Sequence, residues 1–376
     1  MSSTEAQVLE AIDGIATQVI APAAVEVDRN GVFPRAAIEA LGKAGLLGLT
    51  VDRSVGGLGH GPRVAALVVE RIARECGSTA MVVCMHYAGT AVLEKHAPER
   101  VRREVAAGRH LSTLAFSEVG SRSMFWAPVS SAQKSESGIR LNARKSFATS
   151  AGNATAYVWS SRPVTAEGAS TIWLVPRDSA GLRLGGSFDG LGLRGNDSAP
   201  VTAEDALIPE SSRLGDDGQG LAIMLEQVLP LFNLLSAATS VGLMEASTAR
   251  TAAHASGTRF EHLGSPLAEL PTIRASIARM RIATDMARCL LLDTASAIEN
   301  GREDTMLRVL ECKAAAAEAA VEVTDLAMRV CAGAAFRKDV GVERYFRDAR
   351  AATVMAPTTD QLYDFIGKAL CGLPVF

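Results

Sequence analysis

The residues best suited to chemistry in this 376-residue chain are hydroxyl and arginine side chains in turn-rich segments. Ser117 and Ser123 bracket a short glycine-containing turn, and Arg259 lies in a segment rich in Gly and Pro. Hydroxyl and backbone N–H groups can stabilise negative charge that develops on a ligand, and a planar guanidinium suits two phosphate oxygens. These residue types are compatible with a small anionic ligand.

The composition excludes several other classes of function. The six cysteines are scattered, without a Cys-x-x-Cys pair or the His and Cys spacing of a zinc site, so we predict no metal site. The formal net charge is -3 and basic residues are dispersed, which argues against nucleic acid or an anionic membrane as the main partner. Hydrophobic residues make up 48% and charged residues 21%, which is typical of a folded globular protein.

The N-terminal sequence carries no targeting signal that we can identify. It lacks the basic-then-apolar order of a secretory signal and the arginine-rich character of a transit peptide. We also expect no apolar run that approaches the length of about 18 residues needed to cross a bilayer. The expected localisation is therefore cytoplasmic.

The elements that must position these side chains fall into three blocks. Apolar residues recur at a spacing of three to four in the first block, which predicts helices. Short runs rich in Val, Ile, Thr and aromatic residues follow, separated by Gly, Ser, Asp and Pro turns, which predicts strands. Long helical periodicity then returns. We predict an N-terminal helical domain over residues 1–110, a β domain over residues 111–214 and a C-terminal helical bundle over residues 215–376.

This order of blocks, together with several motifs, resembles the acyl-CoA dehydrogenase superfamily. The most specific motif is the run from Gly341 to Arg350, Gly-Val-Glu-Arg-Tyr-Phe-Arg-Asp-Ala-Arg, which is similar to the family's Pro-Val-Glu-Arg-x-x-Arg-Asp-Ala. The likeness extends over nearly the whole chain. It implies a mainly α fold with a middle β domain, in which an N-terminal helical domain and a small β-barrel domain precede a C-terminal four-helix bundle.

Further motifs resemble the family's flavin-binding segments. The segment from Leu114 to Ser123 is similar to the loop that faces the flavin pyrimidine and the acyl thioester. The segment from Lys145 to Gly152 is similar to the family's Lys-x-Trp-Ile-Thr-Asn-Gly, in which the aromatic residue covers the flavin ring. The resemblance implies FAD as the cofactor, with FMN as the alternative. The implied cofactor contacts are Ser117, Ser123, Phe147, Thr149, Arg259, Arg329, Gly333 and Thr358.

One of these segments departs from the family. In relatives, three glycines let the dinucleotide of a neighbouring subunit approach the backbone, and two of them are Ala332 and Ala335 here, while Arg329 replaces a glutamine. Added methyl groups partly obstruct such an approach. The resemblance also implies a homo-oligomer, either a dimer or a tetramer.

The family's catalytic glutamate is missing from both positions where members carry it. Dehydrogenation of an acyl thioester needs a carboxylate that takes the Cα proton while the flavin takes a hydride from Cβ. Aligned on the family's pattern, these two positions are Ala356 and Phe232. The candidate catalytic residues that remain are His86, Asp360 and Glu118.

Three functions follow from this loss. The first is flavin-dependent oxidation of an acyl thioester, bound to CoA or to a carrier, or of a related small molecule, with Asp360 or Glu118 as a relocated base or with no base. The second is an oxygen-dependent flavin monooxygenase that is assisted by His86. The third is elimination from a thioester without net oxidation. A flavin reductase or an electron-transfer partner would serve the redox functions. A flavin-free structural or carrier-binding protein is the alternative of a different class, and the retained Ser117 and Phe147 argue against it.

Overall fold

Helices form the N-terminal block of the computed structural model, which describes residues 4–121, 124–186, 188–262 and 264–376. The first helix begins after Thr4, whose hydroxyl accepts a hydrogen bond from the backbone N–H of Gln7 in a capping box. Val8 and Ile12 on one face of it are buried, as their spacing predicts. The helices are α1 Glu5–Ile15, α2 Ala21–Asn30, α3 Arg35–Lys43, α4 Pro62–Glu75, α5 Gly77–His96 and α6 Glu99–Ala106.

Strands follow and pack as two sheets, which bury Leu141, Trp159 and Trp173 in a shared core. The strands are β1 Ser112–Ala115, β2 Ser131–Ser135, β3 Gly138–Ala148, β4 Ala156–Ser161, β5 Thr171–Pro176, β6 Leu182–Leu184, β7 Ala199–Ile208 and β8 Arg213–Leu214. Strand β1 runs parallel to β4, whereas β3 runs antiparallel to both β2 and β7. The described sheets have the orders β1-β4-β5-β8 and β2-β3-β7-β6.

A bundle of long helices completes the chain. The helices are α7 Gly220–Ile223, α8 Leu229–Gly257, α9 Pro271–Asn300, α10 Thr305–Cys331, α11 Val342–Val354 and α12 Thr359–Leu370. The central helix α8 packs against α9, α10 and α11 and also against α4 and α5 of the first block, so that the two helical blocks share one apolar core. The predicted fold class, helices around a middle β domain, is confirmed.

Among the residues that the structure describes, two continuous helices are long and apolar enough to cross a membrane, contrary to the expectation from the sequence. They are Glu5–Asn30 and Gly220–Gly257. In the most apolar 18-residue stretch of each helix, 28% of the residues are buried in the first and 72% in the second. The first continues through Pro22, which lies in α2 shortly after the π-helical turn Ala16–Ile20. The second is the central helix of the bundle, and its apolar side chains form the core.

Candidate active site

A cavity of about 860 Å³, which we call the main cavity, is lined from both the β domain and the bundle. Ser117, Phe147 and Thr149 line it from the β domain, and Phe232 and Ala356 line it from the bundle. Three of the predicted cofactor contacts therefore face the same space as both positions that lack the glutamate. The volume falls within the range of about 300 to 1,000 Å³ that is usual for small-molecule sites.

The end of β3 directs Phe147 into the main cavity. The pairing of β3 with β7 shifts register between Lys145 and Ala148, and a bulge of this kind re-aims the side chains next to it. Phe147 is 60% exposed, and its ring centroid lies 4.6 Å from that of Phe188, with 31° between the ring planes. Two large rings left uncovered beside a cavity suit a flat aromatic ligand.

Backbone hydrogen bonds hold Ser117 beside this strand. The N–H of Ser146 donates to the carbonyl oxygen of Ser117 at 2.9 Å, and the N–H of Val119 donates to that of Arg144 at 3.0 Å. The hydroxyls of Ser117 and Thr149 consequently come from two segments that are fixed to each other. The lining can thus offer hydroxyl donors beside the exposed aromatic rings.

Glu118 is held in a buried ion pair with Lys145. The two charged atoms are 2.5 Å apart, and both side chains are shielded from solvent. The other carboxylate oxygen of Glu118 accepts from the backbone N–H groups of Val129 and Ser130, at 2.7 and 2.8 Å. Burial pushes the pKa of the Glu118 carboxyl upward, but Lys145 and these hydrogen bonds outweigh burial, so the pKa lies below its ordinary value. A carboxylate in this setting is a poor proton acceptor.

The other two carboxylates that line the main cavity also have partners. Asp189 accepts from the guanidinium of Arg194 at 2.6 Å. Asp197 accepts from the backbone N–H of Gly152 at 2.8 Å and from the side-chain amide of Asn153 at 2.7 Å. Among the described residues of this lining, no carboxylate is therefore left unpaired.

His86 lies in the interior and is absent from the described linings of the two cavities. Its Nδ1 accepts from the N–H of Ser112 at 3.0 Å, and its Nε2 is 2.8 Å from the carbonyl oxygen of Leu47. Burial lowers the pKa of its imidazole to about 4. The ring joins α5 to two neighbouring segments as a neutral side chain.

Asp360 and Thr358 belong to the start of α12. Asp360 is exposed in the first turn, and it does not line either described cavity. The Thr358 hydroxyl caps the helix by accepting from the N–H of Gln361. Neither Asp360 nor Thr358 is among the described residues that line the main cavity.

The remaining predicted cofactor contacts lie apart from the main cavity. Arg259 is exposed and donates to the carbonyl oxygen of Gly264 at 3.1 Å. Arg329 and Gly333 are exposed at the end of α10 and in the turn after it, and an added Cβ at Gly333 would meet open space. Ser123 lies outside the described residues.

Arg347 and Asp348 of α11 hold the cavity walls together. Arg347 pairs with Asp28 of α2 through two hydrogen bonds of 2.8 and 2.6 Å, and Asp348 accepts from the N–H of Leu193 at 2.6 Å. Leu193 belongs to the loop that lines the main cavity. This motif therefore has a structural role within the chain.

A smaller space of about 60 Å³, which we call the side chamber, adjoins the main cavity. Met85, Ser117, Phe147, Phe232 and Ala356 line both spaces. The residues that line the side chamber alone are Leu114, Phe116, Phe125, Val228 and Leu229. An apolar recess therefore extends from the position where the glutamate is missing.

The sequence did not identify several of these residues. Phe188 and Asp189 lie in a glycine-rich loop, and a large aromatic residue in such a loop is a signal that could have marked them. Phe125 follows the turn that carries Ser117, but nothing in its local pattern showed that it meets the bundle helices.

Comparisons with known proteins identify the family. Residues 2–108 match the acyl-CoA dehydrogenase N-terminal domain and residues 218–371 match the acyl-CoA dehydrogenase C-terminal domain. The human mitochondrial short-chain specific acyl-CoA dehydrogenase is 29% identical over 369 residues, which cover 96% of this chain and 88% of that protein.

Solved structures show the same fold. Butyryl-CoA dehydrogenase from Megasphaera elsdenii superposes with a TM-score of 0.91, at 21% identity, over 99% of both chains. A structure described as the FAD complex of PigA superposes with a TM-score of 0.90, at 19% identity, over 99% of this chain and 98% of that one.

Proposed function

The chain belongs to the acyl-CoA dehydrogenase superfamily of flavin-dependent oxidoreductases, and we propose that it oxidises the acyl group of a CoA or carrier-bound thioester without a carboxylate base. The observation that carries this proposal is the lining of the main cavity. Ser117, Phe147 and Thr149 converge there, while Ala356 and Phe232 occupy the two positions of the glutamate.

The residues of the main cavity fit FAD. Phe147 and Phe188 offer exposed faces for a planar ring, and the hydroxyls of Ser117 and Thr149 can donate to its polar edge. A bound flavin would supply two-electron redox chemistry at this place. The relatives' names support FAD over FMN, since the PigA structure is described as an FAD complex.

The chain's own residues would bind and orient the acyl group but would not take its α proton. Glu118, Asp189 and Asp197 all have partners, and Asp360 is exposed outside the lining. The α proton would then pass to water or to a basic group of the substrate itself. Water is a weak base, so substrates whose α C–H is already acidic fit such a site best.

An oxygen-dependent monooxygenase is the second candidate. It is favoured by the same absence of an unpaired carboxylate from the described lining, because hydroxylation needs no base at the acyl α position. His86 does not support it, since its two ring nitrogens are engaged in the interior.

We further propose a homo-oligomer, a dimer or tetramer, in the cytoplasm, served by an electron-transfer partner or a flavin reductase. Arg259, Arg329 and Gly333 are exposed and apart from the main cavity of their own chain. They are therefore free to meet the cofactor of a neighbouring copy.

The proposal is tested by mixing the flavin-loaded protein with a panel of acyl-CoA thioesters in the absence of oxygen. We expect at least one thioester to bleach the flavin absorbance. If none does, and oxygen is consumed once a reductase supplies electrons in the presence of the same thioesters, the monooxygenase is favoured instead. A purified protein that binds neither FAD nor FMN would refute both.

A further inference from the structure

One wall is common to the main cavity and the side chamber, and it carries no ionisable side chain. Met85, Ser117, Phe147, Phe232 and Ala356 line both spaces, and we call these five residues the shared wall. Phe232 and Ala356 stand at the two positions of the missing glutamate. A ligand group that lies against this wall therefore meets apolar side chains and the single hydroxyl of Ser117.

The charged and titratable side chains around the shared wall are engaged with other groups. Glu118 and Asp189 are held in ion pairs, and Asp197 accepts from two neutral donors. The ring nitrogens of His86 and the ammonium of Lys313 are bonded to backbone groups. Within the described part of the chain, the shared wall therefore has no base beside it.

A wall without charge suits a different bond from the one that the family's glutamate serves. Removing a proton from the α carbon of a simple acyl thioester needs a base, because the electron pair of the C–H bond stays on carbon. A C–H bond next to an amine nitrogen can break the other way, since the nitrogen lone pair forms a C=N bond while the hydrogen leaves with its electron pair. Oxidation of such an amine needs a hydride acceptor, which a flavin supplies, and no base at the carbon atom.

The shared wall also favours the form of an amine that can react in this way. An α-amino group next to a carbonyl has a pKa of roughly 7.7 to 8.0 in water, so about a tenth of it is neutral at pH 7. Only the neutral form has a free lone pair. Apolar surroundings disfavour the ammonium, so contact with Phe232 and Ala356 raises the neutral share. The Ser117 hydroxyl can accept a hydrogen bond from the amine N–H.

We infer that the substrate is an aminoacyl thioester, whose Cα–N bond is oxidised to a C=N bond against the shared wall. The Cα–H bond breaks, and its hydrogen passes with the electron pair to the flavin. The nitrogen lone pair becomes the second C–N bond, and one N–H proton passes to water. The inference rests on the proposed function, from which it takes the thioester and the flavin, and it names the substrate class. It also gives the loss of the glutamate a reason, since a carboxylate at Ala356 would hold the amine as the ammonium.

The first test compares aminoacyl thioesters with their counterparts that lack the amino group, on the flavin-loaded protein without oxygen. The pairs are alanyl- with propionyl-CoA, valyl- with isovaleryl-CoA, and phenylalanyl- with 3-phenylpropionyl-CoA. We expect at least one aminoacyl-CoA to bleach the flavin absorbance about a hundredfold faster than its counterpart, because the base that the counterpart needs contributes a factor of about 10² or more. After hydrolysis of the C=N bond, mass spectrometry should detect the 2-oxoacyl thioester, together with released ammonia.

The second test measures binding without turnover. 2-Aminoisobutyryl-CoA has no α hydrogen, and pivaloyl-CoA has the same shape with a methyl group in place of the amine. We expect calorimetry to show that 2-aminoisobutyryl-CoA binds about tenfold more weakly at pH 6.5 than at pH 8, because an ammonium with a pKa of roughly 7.7 to 8.0 must lose its proton to bind. Pivaloyl-CoA should not show this difference, and it corrects for titration of the protein and of the CoA phosphates.

Ala356→Glu and Ala356→Gln form a matched pair of variants for the binding test. The carboxylate of the first should favour the ammonium and remove the loss of affinity at pH 6.5, while the amide of the second should keep the parent's pH profile. The measurements on the parent decide the inference even where a variant does not fold.

The outcomes separate the inference from the proposed function. The inference is overturned, and the proposed function stands, if an unsubstituted acyl-CoA bleaches the flavin faster than every aminoacyl-CoA does. It is also overturned if the affinities for 2-aminoisobutyryl-CoA and pivaloyl-CoA change in parallel with pH. A protein whose flavin is bleached by no thioester would instead refute the proposed function.

Discussion

At the scale of single residues, Glu118 shows why a carboxylate next to the main cavity is not a base. It is paired with Lys145 inside the β domain, and both of its oxygens accept hydrogen bonds. The pair also ties the segment that carries Ser117 to the strand that carries Phe147. Its role is to hold the site in shape.

Removing the charge of Glu118 should therefore make the folded protein less stable. We expect Glu118→Gln to lower the free energy of unfolding by about 3 to 5 kcal/mol, because it leaves the Lys145 ammonium buried without its partner. The matched control is Glu210→Gln, whose pair with Lys134 is more than half exposed and should contribute less than about 1 kcal/mol. Urea denaturation measures the free energy of unfolding of both variants. Equally small losses in the two variants would contradict the structural role of Glu118.

The burial of His86 predicts how the stability of the fold depends on pH. Its folded-state pKa of about 4 lies below the ordinary value of 6.5, because burial disfavours the charged ring. The unfolded chain therefore binds a proton more readily between these values, and stability is lost as pH falls from 6.5 towards 4, by about 1.4 kcal/mol per pH unit.

The comparison of parent and His86→Gln isolates this effect. Burial lowers the pKa of His110 to about 4 as well, while burial raises the pKa of Asp348 to about 6 and acts in the opposite direction. Both groups remain in the variant. We expect the loss of unfolding free energy between pH 7 and pH 5 to be about 2 kcal/mol smaller in His86→Gln. Parallel pH profiles would show that His86 is not buried and neutral.

At the scale of elements, the segment between α11 and α12 depends on one buried lysine of α10. The ammonium of Lys313 donates to the carbonyl oxygens of Ala352, Met355 and Pro357, at 3.1, 3.0 and 2.7 Å. Burial lowers the pKa of this group to about 7, and the three carbonyls favour its charged form. Lys313 thus holds the turn that carries Ala356 against the main cavity.

Lys313→Met should loosen this turn specifically. The three carbonyls lose their donor, so we expect a loss of about 3 kcal/mol in unfolding free energy and faster hydrogen exchange across residues 352–358. Lys338→Met is the control, because Lys338 is 62% exposed and pairs with Glu343, away from the turn. Unchanged exchange in the turn of the Lys313 variant would contradict the positioning role.

Most elements could be predicted from periodicity, and the failures have physical reasons. Strand β2 reads Ser-Ala-Gln-Lys-Ser and has no β-branched residue, so its pairing with β3 decides its conformation. The N-terminal helix continues through Pro22, which comes shortly after a π-helical turn in that helix, and nothing in the local pattern of the sequence marks such a turn. Ser117, Phe147 and Thr149 were identified because motifs carry them, whereas Phe125 meets its partners only through the folded chain.

At the scale of the whole molecule, α9 presents an uncovered apolar face. Ile282 is 59% and Met286 is 69% exposed, and they lie one turn apart on the same side of the helix. Exposed apolar residues grouped in this way are typical of an interface. They agree with the proposed homo-oligomer.

Light scattering after gel filtration tests this prediction. We expect a mass of two or four times 39.4 kDa for the parent. The double variant Ile282→Glu with Met286→Glu should run at a lower mass, while Val25→Glu on α2, at a residue that is 52% exposed, should not. A monomeric parent would contradict the assembly.

The most direct test of the central claim follows proton transfer at the acyl α carbon. Butyryl-CoA is incubated in deuterated water with the flavin-loaded parent, with Ala356→Glu and with Ala356→Gln, and α-deuterium is measured by mass spectrometry. Because the described carboxylates of the main cavity all have partners, we predict exchange above the blank only for Ala356→Glu. Exchange by the parent as fast as by the Glu variant would contradict the account.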